Sequence, residues 1–112
     1  MARKGERKMM VLATFETTED YFPQTVFFKN DRDYIEAAID PCVEAVTNVL
    51  YFCVSGETYA ERRANLEALA IDYSNSDIGD MSMSDEAAVE DFFRKNGKKY
   101  GLLRVFRENA IC

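Results

Sequence analysis

Two kinds of side chain in this 112-residue sequence could do chemistry: three cysteines and an excess of carboxylates, 20 acidic against 14 basic residues. There is no histidine, which removes His-based triads, His general bases and most mixed metal sites. Cys42, Cys53 and Cys112 lack C-x-x-C spacing, so neither a zinc knuckle nor a disulfide framework is indicated. Cys42 and Cys53 lie among apolar residues and read as small core side chains. A carboxylate pair about 5–9 Å apart could serve as acid and base, but nothing in the sequence singles one out. The stretch 75–86 places Asn75, Asp77 and Glu86 at calcium-loop positions, yet puts Gly79 and Asp80 where a ligand and then a glycine are needed. Phosphate-binding glycine loops are absent from the sequence. No cofactor and no metal are expected.

The acids are informative by their distribution. Residues 1–15 hold four basic and one acidic side chain, and residues 92–112 hold six basic and one acidic. Between them, residues 16–91 hold 18 acidic and four basic, a net charge of −14 against −6 for the whole chain. If a helix runs on from Asn30, then Asp33, Glu36, Asp40 and Glu44 fall within about 80° of arc at 100° per residue. Such a ridge, expected to stand unrelieved by cations, would carry like-charge i,i+4 pairs costing roughly 0.2–0.5 kcal/mol each. It is either a solvated face or a rod of negative charge offered to a basic partner. Direct nucleic-acid binding is disfavoured, because the acidic centre would repel phosphates.

These side chains must be positioned by a small set of elements. Residues 1–7 read as a basic flexible arm, and 8–112 as a single domain. Strands are expected at 8–16 and 25–28. A helix capped by Asn30 should bury Ile35, Ala38, Ile39, Cys42, Val43 and Val46, kinked or split at Pro41. Residues 49–54 read as a central strand. Thr58 to Glu61 is a capping box opening a helix to about Tyr73 that buries Tyr59, Leu66, Leu69, Ala70 and Tyr73. A polar connector, 74–84, leads to a helix over 85–96, capped by Ser84 and stopped at Gly97. Residues 100–107 read as a last strand. The order predicts an α+β domain: a mostly antiparallel sheet with about three helices packed on one face.

The leading expectation is a small acidic, non-enzymatic binding protein that occupies a basic, nucleic-acid-binding surface of a protein partner. Asp33, Glu36, Asp40 and Glu44 are the candidate partner-binding residues. Inhibitors encoded by phages or mobile elements against defence nucleases, anti-CRISPR proteins among them, are of this general class, which is an analogy of type alone. The alternative is a small carboxylate-based enzyme or ligand-binding domain, with or without a divalent metal. A third is a homo-oligomeric subunit. Leu102, Leu103, Val105 and Phe106, with Met81, Met83 and Phe27-Phe28, are more apolar groups than one small sheet face needs, and suggest a homodimer. No stretch reaches the ~18 apolar residues of a membrane span, and a cytoplasmic location is expected.

Overall fold

A computed structural model describes residues 9–19 and 21–111; the basic arm expected at 1–7 and the terminal Cys112 lie outside the described residues. In chain order the elements are β1 (Met10–Thr17), β2 (Gln24–Phe28), α1 (Asp31–Ala38), β3 (Val43–Phe52), α2 (Tyr59–Asn75), α3 (Met83–Lys99) and α4 (Leu103–Glu108). The class is α+β, with an antiparallel sheet ordered β2-β1-β3. The chain divides into two compact units: residues 9–52 with 78–80, and residues 53–77 with 81–111.

The first unit is built on β1. Its Val11, Leu12, Ala13, Thr14 and Phe15 are all buried, so both faces of the strand are covered. That is why its sequence is a continuous apolar run and not an alternation. The central strand is therefore β1. Of residues 49–54, expected as a central strand, 49–52 instead form the last part of an edge strand that begins at Val43, and 53–54 lie beyond it. β3 is irregular at two places. The register slips between Leu12↔Leu50 and Thr14↔Thr47, where Asn48 takes a left-handed φ of 52°. It slips again between Glu16↔Ala45 and Thr17↔Val43, leaving Glu44 as the extra residue of a bulge.

The helix expected to continue to Val46 stops at Ala38, with Ile39 as its C-cap. Pro41 explains this. A proline inside a helix removes one hydrogen bond and crowds the carbonyl four residues earlier, and it pushes the preceding residue out of the helical region. Here the Asp40 carboxylate accepts the Cys42 N–H at 2.8 Å, and the Asp40 carbonyl accepts the Val43 N–H at 3.0 Å. That turn sends the chain back as β3. Tyr34 anchors α1 to the sheet, its ring 5.9 Å from Phe28 and 6.4 Å from Phe15.

The connector also departs from a plain exposed loop. Gly79 donates its N–H to the buried Thr25 hydroxyl at 2.8 Å, and the Thr14 and Thr25 hydroxyls lie 2.8 Å apart. Thr25 N–H meets the Asp80 carbonyl at 2.7 Å, and Asp80 N–H meets the Pro23 carbonyl at 3.0 Å. A Cβ at Gly79 would collide with the Pro23 carbonyl, so this close approach requires glycine.

In the second unit, Thr58 caps α2 by accepting the Glu61 N–H at 3.1 Å. The Glu61 carboxylate reaches back to the Glu57 N–H at 2.8 Å, one residue earlier than the usual capping box. Leu66, Leu69 and Ala70 are buried, as are Val89, Phe92 and Phe93 of α3. Tyr59 departs from expectation and is largely exposed. Ser82, not Ser84, caps α3. The expected strand at 100–107 is corrected to α4, and α3 runs through Gly97 to Lys99. Gly97 lies against the Phe106 ring, which a Cβ would approach to 2.8 Å. The left-handed turn falls instead at Gly101, φ 70°. No helix among the described residues is long and apolar enough to cross a membrane.

Candidate functional site

With α1 ending at Ala38, the four predicted site acids no longer share one helical ridge, and each acquires its own local setting. Asp33, in the first turn of α1, accepts the Asn30 side-chain amide at 3.2 Å, while its own N–H is capped by Asn30 at 2.9 Å. Glu36 is met by Arg32, four residues earlier, at 3.8 Å. The expectation of an unrelieved ridge is thus corrected for Glu36. This contact is highly exposed on both sides and contributes little to stability. Asp40 closes the turn after α1 through Cys42 N–H. Glu44 projects from the β3 bulge, outside any helix.

All four acids are exposed nonetheless, and their unit is strongly acidic. Residues 9–52 and 78–80 contain nine acidic and two basic side chains, whereas 53–77 and 81–111 contain ten and eight. Over these residues the net charge is −7 in the sheet unit and −2 in the helical unit.

Beside these acids lies an apolar surface that the sequence did not announce. α1 has no buried residue, and Ile35 and Ile39, expected in the core, are 54% and 75% exposed. A helix of eight residues anchored through Tyr34 can bury one side only. The isoleucines lie one turn apart on the other, bordered along the chain by the exposed Asp31, Glu36 and Asp40. The legible signal was Pro41, which limits the helix to about two turns. Over two turns a 3.6-residue periodicity carries little weight.

A second feature adjoins the end of α1. A cleft of about 390 Å³ is lined by Phe15, Val26, Phe28 and Val43 on its apolar side, with Thr17, Glu19, Asp40 and Cys42 among the remainder. The Cys42 thiol donates to Glu19 at 3.4 Å. That hydrogen bond and the negative charge of Glu19, with smaller contributions from desolvation and Asp40, push the thiol pKa above its ordinary value of 9.0. A thiol so held is a poor nucleophile. Among the described residues no three cysteine or acidic side chains converge as a metal ion would require. Glu19 had no signal in the sequence, because it meets Cys42 only through the pairing of β1 with β3.

No family model matches the chain, no curated protein matches its sequence, and no solved structure matches its coordinates.

Proposed function

We propose that this protein is a small binding protein whose acidic sheet unit docks, through α1, on a basic surface of a protein partner. One observation carries the reading: α1 presents two exposed isoleucines beside a row of exposed carboxylates. A solvated acidic face made for solubility alone has no use for large apolar groups at its centre. A docking face uses them to bury area, while the surrounding charge selects the partner and its orientation. The partner's chemistry follows by complementarity, namely lysine- and arginine-rich, with an apolar patch to receive Ile35 and Ile39. A surface that otherwise binds nucleic-acid phosphates has this composition, and inhibition of such a protein, a defence nuclease for example, is the role that fits. The acidic charge of this unit argues against the chain itself binding nucleic acid.

Affinity capture from the native host with the wild-type chain and two variants tests this. Asp31→Lys with Glu36→Lys reverses the charge, and Ile35→Ser with Ile39→Ser removes the apolar pair. All four positions are exposed, so both variants are expected to fold and to lose the captured protein. Retention of that protein by both variants would reduce α1 to a solvated face.

A further inference from the structure

We propose that the cleft at the end of α1 is a receptor for one arginine side chain presented by the basic surface on which α1 docks. The inference rests on the docking reading and adds to it a specific site and a specific residue type.

The cleft combines an apolar floor with a negative rim. Phe15, Val26, Phe28 and Val43 line the floor, and Phe15 and Phe28 are fixed edge-to-face at 5.9 Å. Glu19 and Asp40 stand at the rim. Each has one oxygen engaged with Cys42, Glu19 with the thiol at 3.4 Å and Asp40 with the backbone N–H at 2.8 Å. An ionised carboxylate offers about four acceptor sites, so both keep capacity for a donor from outside. Among the described residues the ion pairs are Arg32–Glu36, Arg94–Asp91, Lys95–Asp91 and Arg104–Glu108, so no described cation pairs with either rim carboxylate. α1 also ends here: Ala37 lines the cleft, and the last turn carries no basic side chain. The partial negative charge of the helix C-terminus is therefore unmet by a side chain of that turn.

An occupant must be cationic at one end and apolar along its length. An anion is repelled by the rim, and a neutral apolar group would leave both carboxylate charges uncompensated. A bare divalent ion would find two carboxylates and no third ligand. Arginine satisfies the set. Its stem can lie on the floor, its planar head can stack on an aromatic ring, and its several donors can meet both carboxylates together. Lysine presents a compact, strongly hydrated charge with no plane to stack, and serves less well.

The test uses blocked amino acids on the full chain, followed by amide chemical shifts. N-acetyl-arginine N-methylamide, titrated to millimolar concentration, is expected to shift Thr17, Glu19, Val26, Ala37 and Cys42 saturably. The lysine analogue should bind more weakly. The citrulline analogue, of similar shape but neutral, should leave these amides in place. Glu19→Gln with Asp40→Asn keeps acceptors for both Cys42 contacts while removing the charge. It should weaken arginine binding about fivefold or more, the factor expected for losing two exposed ion pairs. Silence of the cleft towards arginine, or equal response to citrulline, overturns the inference. Because the probe is a small molecule, this outcome is separate from the capture experiment. A silent cleft leaves docking through α1 standing, whereas a responsive cleft in a chain whose α1 variants still hold the captured protein overturns that docking and keeps the site.

Discussion

Cys42 illustrates how a residue's chemistry is decided by a neighbour far along the chain. Its thiol donates to Glu19, 23 positions earlier, and the resulting contact keeps it protonated. The sign of a substitution follows. Since the folded pKa lies above 9.0, at about pH 8 the thiolate fraction is below that of a free cysteine, and removing the carboxylate charge raises it. Glu19→Gln is therefore expected to speed alkylation of Cys42 by iodoacetamide at about pH 8, several-fold, as followed by peptide mapping. An unchanged or slower rate would mean that Glu19 does not govern the thiol. The same contact explains why Cys42 is a poor candidate for nucleophilic chemistry here, without reference to the missing histidine.

Among the elements, α3 and α4 show tertiary packing overriding local preference. Gly97 reads as a helix stop because glycine costs about 1 kcal/mol relative to alanine inside a helix. It sits inside α3 because the Phe106 ring of α4 occupies the space where a Cβ would be. Phe106 is itself buried and set edge-to-face against Phe93, ring centres 5.6 Å apart, so the ring has little room to give. Helix propensity alone predicts that Gly97→Ala stabilises. The packing predicts the opposite, a loss of about 1–3 kcal/mol from overpacking. Urea denaturation of the variant decides, and Phe106→Leu in the same chain should recover part of the loss. The short α1 is the converse case: with Pro41 ending it, the periodicity that seemed to define an apolar face leaves Ile35 and Ile39 outside.

For the whole molecule the governing quantity is charge and where it accumulates. The acidic central segment and its four basic residues are shared evenly between the two units. The six basic residues after position 92 join Arg62 and Arg63 in the helical unit, whereas residues 9–52 and 78–80 hold Lys29 and Arg32 with nine acids. Like charges so concentrated repel one another in the folded state. Raising sodium chloride from about 10 to 150 mM shortens the Debye length from roughly 30 to 8 Å and should raise the melting temperature of the free chain. The same salt should weaken the captured complex steeply. Opposite signs are expected from the two measurements, and a melting temperature that falls with salt would contradict the repulsion. Of the apolar groups behind the homodimer expectation, Phe27, Leu102 and Phe106 are buried within the chain, whereas Met83 is 84% exposed. The exposed pair on α1, Ile35 and Ile39, is the one the docking proposal above assigns to a partner.

The α+β class, the strands β1 and β2, the caps at Asn30 and Thr58, and the burial of Leu66, Leu69 and Ala70 on α2 were all legible in the residues alone. These depend on interactions within a few residues or on long apolar runs, which local order reports faithfully. That β1 is central, that 43–52 is an edge strand with two bulges, and that 103–108 is helical follow from long-range contacts. Each of those depends on which surfaces meet. A short apolar run satisfies a strand or a buried helix equally well, and Phe106 of α4 packs where Gly97 leaves room. The acids tell the same story. Their number and their place in the chain were legible, but the ridge of Asp33, Glu36, Asp40 and Glu44 presumed a continuous helix across Pro41. The turn at Asp40 broke it, gave Glu44 to a strand, and brought Glu19, from the other end of a hairpin, beside Asp40 at the cleft.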